Sequence, residues 1–313
     1  MSRPLGLNRL SDIDLRLLRI YKTVVEAGGF AAAEVELNIS RAAISMAMGD
    51  LETRLGLRLC QRGRAGFCVT ESGEQVYEAI LQLFTSIEGF RTRVNTLHDQ
   101  LKGDLNIGIA DNLVTLPHMR ITDALRQLKL KATDIGINIS MMPPNEIEKA
   151  VLDGRLHVGA IPRLRKIAEL EYHPLYEEQS QLYCSHHHPL FDSADQLDTI
   201  ALVAKHDAVA PAYAQTPATR AQYQALKTSS TATDREGVAF LIMTGCFIGF
   251  LPTHYAAQWI QKGEMKSVCA KHFHYTTDYV VINKKNAPTN SLVDVWLKEL
   301  IKSSPTGVVA LQP

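Results

Sequence analysis

The chain has 313 residues, 46% of them apolar and 21% charged, and its 33 basic and 33 acidic residues cancel to a formal charge of zero. That length accommodates two domains, or three small ones, and the composition is ordinary for a globular protein in water. The balance excludes a chain that is basic or acidic throughout, so any affinity for a polyanion has to reside in a local patch.

Cys60, Cys68, Cys184, Cys246 and Cys269 are odd in number and lack C-x-x-C spacing, which points to reduced thiols and no disulfide framework. Residues 1–10 carry Arg3 and Arg9 without a sustained apolar stretch, so no secretory signal is expected. The most apolar run, 238–251, is broken by Thr244, Gly245 and Gly249 and falls short of the roughly 20 residues of a membrane-spanning helix. A cytoplasmic protein is the expectation.

Ile13, Leu17, Ile20, Val24 and Ala27 recur at spacings of three and four, predicting a helix over 13–27 capped by Ser11 or Asp12. Gly28-Gly29 ends it. A short alanine-rich helix over 31–37 follows, Asn38-Ile39 makes a tight turn, and Ser40 caps a third helix over 41–55 that Gly56 stops. Two short helices joined by a tight turn are the sequence shape of a helix-turn-helix. Ser40, Arg41, Ala42, Ser45 and Met46 occupy the first turns of the third helix, whereas Ile44, Met48, Leu51 and Leu55 form its apolar stripe. Arg41 has the reach and donors for a phosphate or a guanine edge, Ser45 for a phosphate or base, and Ala42 the size for a thymine methyl. A plain three-helix core with one polar face would show the same spacing.

The next segment separates the two. Over 57–70, Arg58, Arg62, Gly63, Arg64 and Gly66 punctuate Leu59, Phe67 and Val69, predicting a β-hairpin with a basic tip. Between residues 40 and 70 five arginines face two acids, a local balance of +3. A basic hairpin directly after a recognition helix is a wing, placed to follow the phosphate backbone or enter the minor groove.

Phe30-Ala31-Ala32-Ala33, Leu37-Asn38-Ile39-Ser40, Ala43-Ile44-Ser45, Leu51-Glu52-x-x-Leu55-Gly56, Leu59, Arg62 and Thr70-Glu71-Ser72-Gly73 appear in this order. Together they resemble the N-terminal signature of LysR-type transcription regulators. The resemblance implies a DNA-binding regulator, with Ser40, Arg41, Ala42, Ser45, Met46, Arg62 and Arg64 as the DNA-contacting set. Gly29 departs from the serine or threonine usual before the phenylalanine, Cys60 from a phenylalanine, and Arg41 from a common glutamine.

Val76, Ile80, Leu83, Ile87, Phe90, Val94, Leu97 and Leu101 then alternate at spacings of four and three, with polar residues between them. So narrow a seam predicts a long helix that pairs with a second copy, since a helix lying on its own domain needs a wider apolar face. A dimer through it, and by the resemblance a tetramer, would present two recognition helices to a two-fold operator.

Beyond Lys102-Gly103 strands and helices alternate. Residues 105–110, 135–142 and 156–161 read as strands separated by helices over 115–128 and 145–152, an order that implies parallel sheet. Further segments follow at 182–185, 200–204, 226–230 and 246–251, with a helix over 234–243, a strand over 279–283 and a helix over 291–301. Leu152-Asp153-Gly154-x-Leu156-x-Val158-Gly159, His188-Pro189-Leu190 and Gly245-x-x-Ile248-Gly249-x-Leu251-Pro252 extend the LysR-type resemblance here. It implies a two-subdomain α/β effector domain similar to periplasmic solute-binding proteins. The expected organisation is a winged helix-turn-helix over 1–70, a linker helix over 71–102 and an effector domain over 103–313. Its first subdomain takes 103–163 and 272–303, and its second 164–271.

Ligands in open α/β sheets sit beyond the carboxyl ends of the strands. The loops there hold Ala110, Asp111, Asn112, Thr115, Pro143, Asn145, Pro162 and Arg163, and the second subdomain adds Tyr213, Thr233 and Asp234. By the resemblance, Ala110 and Asp111 fall where a serine or threonine would hold an effector carboxylate. Asp111 opposes an anion, so the expected effector bears an amine or several hydroxyls, or binds through water.

No G-x-S-x-G, P-loop, G-x-G-x-x-G or H-E-x-x-H occurs, so no enzyme is expected. His186-His187-His188 beyond Cys184, and His272 and His274 beyond Cys269, raise a metal-responsive alternative. Consecutive histidines at a strand end point in alternating directions and cannot all ligate one ion, so no metal and no cofactor is expected. A solute-binding module without a transcription role is the other alternative, against which the DNA-binding segment counts.

Overall fold

Ser11 opens the first helix, α1 (Asp12–Glu26), where its N–H and hydroxyl both donate to the Asp14 carboxylate, at 2.8 and 2.6 Å. The computed structural model describes residues 10–302 apart from 64–65, 97–100, 112, 195, 197–198, 214 and 288–289. Two compact units divide the chain, Met1–Glu88 and Gly89–Pro313.

In the first unit α1 is followed by α2 (Phe30–Leu37) and α3 (Arg41–Leu55). Gly28 and Gly29 turn the chain between the first two at φ +72° and +147°, conformations that favour glycine. This accounts for Gly29 where a serine or threonine is usual. Asn38 ends α2 and Gly56 ends α3, both left-handed. A hairpin of β1 (Cys60–Gly63) and β2 (Gly66–Val69) comes next, and α4 (Glu71–Thr96) begins after it. Tyr21, Val24, Ala33, Ile44, Met48, Leu51 and Leu59 are fully buried in one core, onto which Ile80, Leu83 and Val76 of α4 pack.

Gly73 explains part of the motif that precedes α4. A Cβ there would lie 2.1 Å from the Leu59 carbonyl oxygen and 2.7 Å from the Tyr21 hydroxyl. The helix thus starts in contact with the hairpin, where Thr70 donates its hydroxyl to the Arg58 carbonyl at 2.6 Å.

The second unit is built on a nine-stranded mixed sheet. Its strands are β3 (Gly103–Ile109), β4 (Ile135–Met141), β5 (Val158–Pro162), β6 (Leu170–Ser185), β7 (Asp207–Pro211), β8 (Lys227–Ala232), β9 (Ile248–Pro252), β10 (Met265–Ser267) and β11 (His274–Lys284). The order is β4-β3-β5-β11-β6-β9-β7-β8, with β10 beside β6. The helices α5 (Arg120–Lys131), α6 (Pro144–Leu152), α7 (Thr199–Val203), α8 (Pro217–Gln224), α9 (Arg235–Met243), α10 (Thr253–Ile260) and α11 (Ser291–Lys302) connect them. The parallel pairs β3–β4, β3–β5, β7–β8 and β7–β9 form two wings of the sheet. They are joined by the long strands β6 and β11, which run antiparallel over most of their length.

Several expected elements differ in the structure. Residues 200–204 fall in and after a helix, α7, and 182–185 are only the end of the sixteen-residue β6. The strand expected over 279–283 is the second half of β11. β7, α8, α10 and β10 had no counterpart in the sequence reading. The sheet is mixed because β6 and β11 cross between the wings, each pairing antiparallel with its neighbours.

Three sets of buried side chains fill the wings. Leu105, Ile107, Val158, Val281, Ile282 and Trp296 lie in one, Leu182, Cys184, Ile248 and Phe250 in the second, and Tyr183, Val209, Val238 and Ile242 in the third.

Candidate functional site

In the first unit, Ser40 caps α3 by accepting from Ala43 N–H at 3.3 Å, and Glu34 of α2 accepts from Arg41 N–H at 3.0 Å. These bonds fix the start of α3 against α2. They leave Ser40, Arg41, Ala42 and Met46 exposed, with Ser45 half-buried beside them. The opposite face, Ile44, Met48 and Leu51, is fully buried. Glu52 reaches from α3 to the hairpin, accepting from Leu59 and Cys60 N–H at 2.8 and 3.2 Å, and Phe30 meets Phe67 edge-on at 5.8 Å. The hairpin is thus tied to α3. Arg62 lies on β1, and Arg64 lies outside the described residues. Arg54 serves a different purpose from the other arginines of this stretch: it bonds Asp14 at 2.5 Å, holding α3 to α1.

In the second unit, a cavity opens where β5, β7 and β9 end in Pro162, Pro211 and Pro252. It holds about 50 Å³ of interior space, several times the roughly 10–15 Å³ that admits one water. One wall is a single face of the two crossing strands. Ser180 pairs with Tyr275, Glu178 with Thr277 and Tyr176 with Tyr279, and all but Tyr176 line the cavity. Tyr176 backs Tyr279 instead, stacked at 5.4 Å. The opposite wall takes Tyr213, Gln215, Thr216, Thr219 and Tyr223 from α8 and the segment before it, and Arg235 and Val238 from α9.

Arg235 and Glu178 form a buried bidentate pair, an arrangement that keeps both charges satisfied away from water. The guanidinium also donates to the Tyr279 hydroxyl at 2.6 Å and to the Asp111 carbonyl at 3.0 Å. Glu178 contacts His254 Nε2 at 3.0 Å, and His254 Nδ1 lies 2.7 Å from the Thr115 hydroxyl. The Asp111 carboxylate accepts from Arg235 N–H at the start of α9. Burial pushes that carboxyl above its usual range, against the pull of the Arg235 N–H and charge. Burial likewise pushes the Tyr213, Tyr223, Tyr275 and Tyr279 phenols up, so each is a neutral hydroxyl able to donate or accept. Gln215 donates from Nε2 to the Pro211 carbonyl at 3.4 Å, and its buried Oε1 has no hydrogen-bond partner among the described residues.

Of the expected ligand residues, Pro162 and Tyr213 line the cavity. Asp111 reaches it only through Arg235, and Thr115 only through His254 and Glu178. Ala110 is buried at the end of β3, where its N–H bonds the Ala160 carbonyl at 2.9 Å. Pro143 and Asn145 start α6 and Arg163 pairs with Asp278 at 2.6 Å, none of them in the cavity wall. Thr233 and Asp234 are exposed, and Asp234 caps α9 by accepting from Gly237 N–H at 2.7 Å. Asn112 lies outside the described residues. The sequence reading missed Glu178, Ser180, Gln215, Tyr223, Arg235, Tyr275 and Tyr279. Positions 176–181 and 274–278 are polar throughout, so no alternation in the sequence marked which face would line a cavity.

Among the described residues no group of three or more His, Cys, Asp or Glu is placed to hold a metal, and no helix is long and apolar enough to cross a membrane. His188 is buried, which pushes its imidazole down to about 4, with His206 adding to the effect.

Comparison with known proteins matches both units. Residues 15–74 match the bacterial regulatory helix-turn-helix protein, lysR family, and residues 98–304 the LysR substrate binding domain. The chain is 51% identical over 302 residues to the HTH-type transcriptional activator BauR of Pseudomonas aeruginosa, covering 96% of this chain and 99% of that protein. It is 26% identical over 245 residues to the probable HTH-type transcriptional regulator LrrA of Synechococcus elongatus, 77% of this chain and 81% of the other. The fold is similar to full-length CbnR in complex with its target DNA, with a TM-score of 0.66 at 16% identity, over 93% of this chain and 99% of that one.

Proposed function

The chain belongs to the LysR family of bacterial transcription regulators, and from that premise we propose that it is a ligand-controlled activator of a promoter it binds as a dimer. It is a regulator and not an enzyme. Ser40, Arg41, Ala42, Ser45 and Met46 enter the major groove, and Arg62 and Arg64 of the hairpin follow the adjacent backbone. The activator reading comes from BauR, which carries that description. A metabolite in the strand-end cavity sets the activity of the bound protein, by binding one arrangement of the two sheet wings more tightly than another.

The observation that carries the ligand reading is the cavity, with a paired Arg235 and Glu178 in its wall and an unpartnered Gln215 oxygen beside them. A buried acceptor without a partner favours a ligand that donates. Arg235 and Glu178 cancel each other's charge, and the guanidinium already donates to Glu178, Tyr279 and the Asp111 carbonyl, so the wall offers an anion no free cation. The ligand end bound here is a hydroxyl or a protonated amine.

Binding of the purified protein to its own upstream intergenic DNA, against scrambled DNA, tests the DNA-binding part. Affinity is expected to fall steeply between about 50 and 200 mM salt, and Arg41→Ala to weaken specific binding by about 1–3 kcal/mol if it reads a base. Failure to bind any DNA at low salt would overturn the reading.

A further inference from the structure

We propose that the open hollow beside the cavity, centred on Arg220, is a second subsite that takes the acidic end of the same ligand. The inference rests on reading the inner cavity as a ligand site. The hollow holds about 310 Å³ and is lined by Tyr213, Gln215, Arg220, Tyr223 and Gln224. Tyr213, Gln215 and Tyr223 also line the inner cavity, so a molecule too long for the inner space emerges along these three side chains.

Arg220 stands exposed on α8 and makes no ion pair with any described residue. Its guanidinium offers the forked donors that match a carboxylate or a phosphate. Gln224 follows four positions along the same helix, hence on the same face, and brings an amide that donates as well. The two spaces therefore differ in charge: the inner wall pairs Glu178 with Arg235 and is neutral, whereas the outer hollow carries a cation of its own.

Gln215 sits at the junction and fixes the ligand's direction. Its amide nitrogen faces the Pro211 carbonyl; the flipped form would set two carbonyl oxygens together, so Oε1 is held as an acceptor. A hydroxyl or ammonium passes it favourably. A carboxylate pointing inward meets only repulsion there, a contact that discriminates by rejection. The ligand is thus bipolar, donor end inward and acid outward.

Calorimetric titration of the full-length protein tests this with straight-chain probes of roughly three to six carbons, matched to a cavity of several water volumes. One series bears a hydroxyl or amine at one end and a carboxylate or phosphate at the other. The control series comprises the corresponding diols and diamines, without the acid. The bifunctional probes are expected to bind about tenfold tighter, the worth of one charge-assisted contact at an open site. Arg220→Ala abolishes that gain, Arg220→Lys retains part of it, and Lys262→Ala, on α10's trailing turn, leaves it intact. The carboxylate and phosphate arms decide which acid fits. Equal binding of the acid probes to Arg220→Ala and wild type, with the diols still bound, overturns the outer subsite and leaves the cavity reading standing. No binding by either series overturns both.

Discussion

Asp14 holds a charge on a fully buried side chain because three donors converge on it: Ser11 N–H, Ser11 hydroxyl and Arg54 Nε. The Arg54 and Ser11 hydrogen bonds outweigh burial and hold its pKa at about 2. A depressed carboxyl pKa contributes stability that is complete above the unfolded value near 4 and is lost as pH falls through the folded one. The first unit should therefore weaken between pH 4 and 2. Calorimetric melts of wild type and Asp14→Asn should differ at pH 7 and converge only as the pH approaches 2. A constant gap across that range would show that the charge is not what matters. Arg54 is substantially exposed, so part of its Coulombic contribution is screened.

At the scale of elements, the seam of α4 divides into a buried part and an exposed part. Ile80 is 2% exposed and, with Val76 and Leu83, belongs to the core of the first unit, whereas Phe90 is 68% and Val94 37% exposed. The proposed dimer therefore draws on the later part of the seam. Phe90→Glu with Val94→Glu is expected to give monomers in sedimentation experiments and to leave the melting of the first unit in place. A variant that remains dimeric would move the interface elsewhere. The seam's periodicity was readable in the sequence, but not this division of labour, because a heptad pattern does not say which partner covers each position. The same holds elsewhere. The caps and breaks of α1, α2 and α3 are local signals, and the expected bounds of α3 and those in the structure agree. In β6 and β11 polar residues stand on both faces: Glu178, Ser180 and Thr277 are buried, and Glu177, Gln179, Thr276 and Asp278 between them are exposed. With no apolar alternation to mark the inner face, the cavity wall stayed hidden. Arg235 and Glu178 are 57 residues apart, a pairing no local spacing announces.

At the scale of the molecule, the polar network spans the two wings of the sheet. Asp111 and Thr115 follow β3 in one wing, while Arg235 and His254 start α9 and α10 in the other, and Glu178 lies on the strand that crosses between them. The register of β6 and β11 shifts between Tyr279 and Val280, next to the tyrosine that accepts from Arg235. A bulge loosens a ladder and lets it bend. The joint between the wings therefore adjoins the cavity wall, which gives a bound ligand a direct way to bias their arrangement.

The place of β11 in the sheet has a further consequence, for synthesis. It is the last of the described strands to be made, yet it lies between β5 and β6. Neither has its final neighbour until residues 274–284 have left the ribosome, whereas the first unit closes within Met1–Glu88. Domains fold as units, the N-terminal one first, and long-range strand pairing is slow. A chain ended before residue 274 is expected to retain DNA binding and to lose ligand response, which DNA-binding and titration assays on that truncation would read directly. Chains that stop short of β11 would thus occupy the operator without answering to ligand, and would not be inert fragments.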